Sequence, residues 1–218
     1  MNILPQLYKL TPLPIWKFGS HLYHLYLKRK YLQGKRPLVP AETSKAKLRR
    51  SKEGFFEKYL FGQGLDIGFG GDLVSPNARG FDFEHGDAQY LAELKDEQFD
   101  FVYSSHTLEH MPNPSTALKN WFRVLKKSGY LILYIPHRDL YEKKRTLPSR
   151  FNPTHTYFFL IDKDEHPNTL GIIPLLKNNL NGYDLIYAKE CSEGHTITDP
   201  MIHSDGEYSI EVVLRKSS

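Results

Sequence analysis

The sequence predicts an α/β fold built on a mostly parallel sheet, and three observations carry that expectation. Short apolar runs near residues 64–67, 79–83, 99–104 and 129–135 read as buried strands. Helical patterning near 88–94 and 114–125 falls between them, which is the alternation of a parallel sheet with flanking helices. The first strand also breaks into a glycine turn, GLDIGFGGD from Gly64 to Asp72.

Ahead of that turn lies a basic extension. Residues 1–58 hold thirteen Lys or Arg and three acids, a formal +10 in a chain whose total is +4, so the remainder is acidic. The stretches LYHLYLKRKYL and SKAKLRRSKEGFFEKYL flank the proline-bounded PLVP at 37–40, which suggests two helices and a loop. In the first helix Trp16, Leu22, Tyr23, Tyr26 and Leu27 share apolar faces while Lys28, Arg29 and Lys30 stay solvated. The extension, 1–58, is expected to be a helical cap; covering the active site, peripheral membrane contact and recruitment of a phosphorylated acceptor are its open alternatives. The opening MNILPQLYKLTPLPIW lacks an export signal's charged start, apolar core and cleavage site, and no run of eighteen apolar residues occurs. Cytoplasm is therefore the expected location. The single cysteine, Cys191, excludes an intramolecular disulfide and a zinc-thiolate cluster.

The turn after the first strand is read through its glycines. Gly68, Gly70 and Gly71 allow a tight turn and close approach of a ligand. Asp66, at the strand end, can accept hydrogen bonds from backbone amides or from a cationic ligand group. Asp82, sixteen residues on and ending the second strand, suits two ribose hydroxyls. Only ten residues separate Gly68 from Arg79, so the helix expected in this crossover is shortened to about a turn. Pro76 helps to end it.

The helix at 114–125 starts at Pro114 and Ser115, turns Leu118, Trp121, Phe122 and Leu125 inward, and is followed by Gly129. The runs YDLIYAKEC, 183–191, and YSIEVVLRK, 208–216, are expected to form an antiparallel pair at the sheet edge.

The ordered series LDIGFGG, Asp82, the Asp87-Ala88 step, FDFVYSSHTLEH and RVLKKSGYLILYIP, covering about 62–138, resembles the class I S-adenosylmethionine-dependent methyltransferases. Within that family it looks like the compact bacterial kind associated with surface polysaccharide and secondary metabolism. The resemblance implies a Rossmann-like fold, with 59–218 as the S-adenosylmethionine-binding domain and a substrate-binding insertion around 136–182. It implies S-adenosylmethionine as cofactor and S-adenosylhomocysteine as product. Asp66, Gly68 and Gly70 are then expected at the methionine end, with Phe69, where the family often has a small residue, packing under the cofactor or filling the core. Asp82 with Phe83 is expected at the ribose, Asp87 and Ala88 beside the adenine, and Ser104 and Ser105 on the pocket wall.

Catalysis is expected after the third strand of the chain. His106, at the strand end that faces the donor, is the expected base for a hydroxyl acceptor, and His110 an orienting residue one turn on. HTLEH also satisfies the H-x-x-E-H zinc-hydrolase pattern, but Pro112 closes it within a turn where that chemistry needs a long helix. No metal site is expected, although metal-assisted transfer through His106, His110, Asp87 and His137 or His155 is an alternative. The segment Pro136 to Phe159 is the expected acceptor region. Arg138, Arg150, Lys143 and Lys144 are placed for a phosphate or carboxylate, and His137, Tyr141, Asn152, His155 and Tyr157 for sugar or amide groups.

The expected partner is a small polar acceptor, a sugar, sugar phosphate or nucleotide-linked sugar. Methylation of an amine or phosphate-type oxygen, and cofactor binding without transfer, remain alternatives. Nucleic acid is not expected, because the modest total charge comes with no recognition module. Oligomeric state is not legible.

Overall fold

The computed structural model describes residues 13–33 and 42–218. The expected loop at 37–40 and the first twelve residues lie outside the described residues.

A long helix, α1 (Leu13–Leu32), comes first, followed by three short ones, α2 (Glu42–Lys45), α3 (Lys47–Lys52) and α4 (Phe55–Tyr59). In α1, Leu22, Tyr23 and Tyr26 are exposed, and the Tyr23 and Tyr26 rings stack at 6.1 Å. The strands β1 (Gly64–Ile67), β2 (Ala78–Phe81), β3 (Phe99–Ser105) and β4 (Leu125–Pro136) run parallel. Helix α5 (Pro114–Arg123) connects the last two. After α6 (Arg138–Tyr141) come β5 (Phe158–Leu160), β6 (Thr169–Gly171) and α7 (Ile172–Asn179), then β7 (Tyr183–Cys191) and β8 (Ser209–Lys216).

The main sheet has the order β2-β1-β3-β4-β8-β7. Strand β8 is antiparallel to both β4 and β7, so the reversed strand sits one place in from the edge and β7 closes the sheet.

Each face of the sheet has its own cover. Leu65, Ile67, Val102, Leu131, Leu133 and Val212 face α5 and α7, where Leu118, Trp121 and Leu176 complete a fully buried cluster. Phe101, Tyr103, Ile132, Tyr134 and Val213 face the other way, onto Ala46, Phe55 and Leu60. Period-two alternation in the strands produces this division.

The crossover from β1 to β2 differs from its expectation, since residues 68–77 form turns with no helix at all. The N-terminal helices α3 and α4, with Val74 and Ala78, cover the sheet face that a crossover helix would otherwise occupy. Residues 42–60 are therefore part of the domain's core rather than an appended cap. Their charge is not all solvated either. Arg50 is fully buried, donating to Glu211 Oε2 at 2.7 Å and Tyr103 Oη at 2.9 Å, while Arg49 bridges Glu207 and Glu211.

The helix expected at 88–94 is also absent, replaced by turns. Leu91 and Glu97 take positive φ, and side chains of α5 accept the role of the missing helical donors. Trp121 Nε1 donates to the Ala88 carbonyl, Asn120 Nδ2 to Gln89, and Arg123 to Leu91 and Leu94. The bonds to Ala88 and Gln89 satisfy carbonyls that a helix over 88–94 would pair internally, and those from Arg123 satisfy carbonyls that would fall in its last turn.

Candidate active site

The parallel strands end together, which gathers the loops after β1, β2, β3 and β4 at one edge, where open α/β sheets bind ligands. Register fixes who meets whom: Asp66 lies beside Gly80 and Tyr103, and Ile67 beside Ser104.

Asp66 is fully buried, and its Oδ2 accepts the Val74 N–H at 2.7 Å. Its Oδ1 has no hydrogen-bond partner. Burial, against the Val74 bond and with the nearby Asp72 and Asp82 charges, pushes its pKa up to about 7. An orphaned carboxylate oxygen beside a glycine turn is complementary to a cationic ligand group, so the residues present fit the sulfonium cofactor. Gly68 holds φ +73°, and a Cβ there would come within 2.0 Å of Thr107 Oγ1. Thr107 in turn donates toward the Ile67 and Ser105 carbonyls, tying the β1 turn to the β3 exit. Sequence reasoning missed Thr107, whose only signal was its place between Ser105 and Glu109.

Asp82 is bound into the glycine loop, accepting Gly70 N–H at Oδ2 and Phe83 N–H at Oδ1. A carboxylate accepts at about four sites, so those two bonds are compatible with ribose hydroxyls. Phe69 packs its ring across Gly80, where a Cβ would approach it to 2.6 Å. Asp87 accepts the Gln89 N–H at 2.8 Å, and Ala88 is pinned through its carbonyl by Trp121. The two serines diverge: Ser104 Oγ donates to the Ile67 carbonyl, whereas the buried Ser105 Oγ has no partner.

Beyond β3 the backbone bends at His106, which holds φ +49°, a conformation unusual for a side chain with a Cβ. Its Nε2 lies 2.9 Å from Ser209 Oγ and its Nδ1 3.8 Å from Glu109 Oε1. Burial lowers its pKa to about 4, so the ring is neutral near pH 7. A turn of 3-10 helix, Leu108–His110, then sets Glu109 inward. Glu109 is fully buried, neither of its oxygens is hydrogen-bonded, and burial pushes it up to about 7. His110 Nε2 and His155 Nε2 each lie 3.7 Å from its Oε1. Glu142 and Ser209 were not singled out from the sequence, and Glu109 entered only as the glutamate of HTLEH, because what makes them notable is contact across the fold.

The expected acceptor residues separate into two sets. His155, Tyr141 and, through Thr154, Asn152 gather around His110: the His110 and His155 rings lie 4.8 Å apart, and Tyr141 is 5.3 Å from His155. The others are engaged elsewhere. His137 faces Glu190 at 3.6 Å, and the buried Arg138 pairs with Asp139 and Glu165. Lys143 Nζ is ringed by the carbonyls of Ile197, Asp199 and Ile202, Lys144 donates to Pro148, and Arg150 to Pro200. Lys143 and Arg150 clamp the 197–202 loop.

The N-terminal helices reach the same edge. Ser44 donates through its N–H and hydroxyl to the Asp72 carboxylate, and Glu42 accepts from Tyr208 while standing 4.0 Å from His106. Among the described residues no helix is long and apolar enough to cross a membrane.

Residues 65–133 match the family model described as a methyltransferase domain. No curated protein matches the chain. Among solved structures, a SAM-dependent methyltransferase from Thermotoga maritima is 20% identical, covering 93% of this chain and 100% of that one with a TM-score of 0.47. One from Archaeoglobus fulgidus is 17% identical, covering 89% and 99% with a TM-score of 0.49. A third structure, described as the conversion of a disulfide bond into a thioacetal group during echinomycin biosynthesis, is 13% identical, covering 91% and 93% at 0.51. That likeness is one of fold. The matched span, about a third of the chain, runs from β1 into β4 and so takes in the glycine turn, Asp82, Asp87 and the β3 exit, and over these residues the chain is similar to a methyltransferase domain.

Proposed function

We propose that the enzyme methylates a hydroxyl of a small, uncharged polar acceptor, of which a sugar hydroxyl is the leading candidate. The observation that carries this reading is His106, a neutral imidazole held in a left-handed backbone conformation where β3 leaves the sheet, next to the loop that takes the donor. When bound, S-adenosylmethionine supplies an electrophilic methyl on a sulfonium and leaves as S-adenosylhomocysteine.

Asp66, Asp82 and Asp87 bind and orient the cofactor, at its cationic end, ribose and adenine in that order. Ser105, with its unpartnered buried hydroxyl, lies on the wall between donor and acceptor. His106 takes the proton that the acceptor oxygen gives up, and Ser209 fixes the ring's other nitrogen. Glu42, Tyr208 and Tyr141 close around His106 and exclude water. Orientation of this kind is worth several kcal/mol of barrier.

The engagement of Arg138, Lys143, Lys144 and Arg150 by protein groups favours an unphosphorylated acceptor over a sugar phosphate. Release of S-adenosylhomocysteine across matched pairs of sugars and their phosphates tests this. Turnover confined to the phosphates, or to amines, would overturn it. For the base, His106→Ala is expected to bind S-adenosylhomocysteine normally and to lose about 10²–10⁴-fold in turnover. Unchanged turnover would remove His106 from the reaction.

A further inference from the structure

Beside the methyl-transfer residues stands a group of side chains that the proposed reaction does not require. Glu109 Oε1 is 3.7 Å from His110 Nε2 and 3.7 Å from His155 Nε2, and one ligand atom from each of the three falls within 4.8 Å of the others. The hydrogen bonds behind the two rings decide which atoms face inward. His155 Nδ1 lies 2.7 Å from Glu142 Oε1, an acceptor, so Nδ1 carries the proton and Nε2 presents a lone pair. Thr154 gives its one hydroxyl hydrogen to Asn152 Oδ1, whose identity as oxygen is fixed by the Thr154 N–H it also accepts. The 2.8 Å bond between Thr154 Oγ1 and His110 Nδ1 therefore takes its proton from the histidine, and His110 Nε2 is likewise a lone pair.

Three acceptors thus converge with no donor among them. Glu109 is fully buried and neither oxygen has a hydrogen-bond partner, an arrangement unfavourable for a carboxylate unless a cation compensates it. A shared proton does not account for the spacing. A protonated carboxyl would draw one imidazole to about 2.7–3.0 Å, whereas both nitrogens stand off equally, beyond hydrogen-bond length. An ion with ligands at about 2.0–2.1 Å in tetrahedral geometry separates them by about 3.3 Å; the two carboxylate–imidazole distances here are 3.7 Å, and the three atoms all lie within 4.8 Å, so the rings close slightly on an ion.

We propose that Glu109, His110 and His155 bind a divalent transition-metal ion of the zinc class. The surroundings have the form such sites take. Glu142 orients His155 as a carboxylate behind a ligating histidine, and it is itself held by Ser149 Oγ at 2.8 Å. Thr156 donates through both its N–H and its hydroxyl to the Glu109 carbonyl, stitching the segment that carries His155 to the 3-10 turn that carries the other two. Two histidines and one carboxylate leave a coordination position for water or an acceptor oxygen. The H-x-x-E-H string gives a different set, because its first histidine, His106, bonds Ser209 and its glutamate becomes a ligand. The site stands whatever the acceptor proves to be.

The test uses the full chain, stripped with chelator and titrated with Zn²⁺ by calorimetry and with Co²⁺ by visible absorption. One ion per chain is expected, with the absorption of a low-coordinate cobalt site. Glu109→Gln and His155→Ala are expected to abolish that absorption. Glu142→Gln, which touches no metal, is expected to weaken Zn²⁺ binding by about 10–100-fold. S-adenosylhomocysteine binding by each variant separates loss of the ion from loss of fold. A wild-type chain that binds the cofactor product but takes up neither ion would overturn the proposal, as would Co²⁺ absorption unaltered in His155→Ala.

Discussion

Asp66→Asn separates the stability of this protein from its function in a way that pH can read. A carboxyl that ordinarily titrates near 3.8 and is pushed up to about 7 forfeits about 4 kcal/mol of folding stability across that interval, at about 1.4 kcal/mol per pH unit. The folded chain holds this proton more tightly than the unfolded chain. The associated stability is therefore fully present below about pH 4 and lost as pH rises through about 7. Asparagine removes the ionisation but puts an amide N–H₂ where Oδ1 had no partner, a cost of about 1–3 kcal/mol that does not vary with pH. The difference in stability between Asp66→Asn and wild type should therefore grow in favour of the variant by about 3 kcal/mol from pH 5 to pH 8. Urea unfolding of both proteins at the two pH values measures it, and other titrating groups cancel in the difference. The same substitution should weaken S-adenosylhomocysteine by about 10–100-fold, the worth of a hydrogen bond to a buried charge. A stability difference that stays flat with pH would refute the reasoning, since the carboxylate would then not be ionising in the dry environment described.

Two further substitutions probe the same edge of the sheet. Gly68→Ala, with φ +73° and Thr107 Oγ1 2.0 Å from the new Cβ, should cost about 2–5 kcal/mol from backbone strain and overpacking, and Gly68→Ala with Thr107→Ala should recover part of it in urea unfolding. Ser104→Ala should lose about 1 kcal/mol with its bond to Ile67, while Ser105→Ala, whose hydroxyl has no partner, should unfold with wild type and show any defect only in turnover.

What could be read from the sequence was local. The strands announced themselves through apolar runs, and α5 through its proline start and inward Leu118 and Trp121, because both patterns depend on residues a few positions apart. The glycine turn and the acids at 66, 82 and 87, on which the resemblance rests, form a local series of the same kind. What could not be read was settled by distant partners. Patterning at 88–94 favoured a helix, and Trp121, Asn120 and Arg123 replaced its hydrogen bonds from another element. The pairing of Arg49 and Arg50 is set by Glu207 and Glu211, about 160 residues away, and no local pattern announces it. Arg138 and Lys143 had the chemistry of an anion site, but Glu165 and three loop carbonyls already engage them. Glu109 was visible only as the glutamate of HTLEH, because a glutamate between two histidines acquires this meaning only when His155 closes on it.

The central claim is that the loops at the carboxyl ends of β1 and β2 hold the cofactor through Asp66 and Asp82. Calorimetric titration of S-adenosylhomocysteine into wild type and Asp82→Ala tests it most directly. One molecule per chain with wild type, and binding weakened by about 10–100-fold when the ribose carboxylate is removed, is the predicted result. Equal affinity in both proteins, with the variant folded, would contradict it.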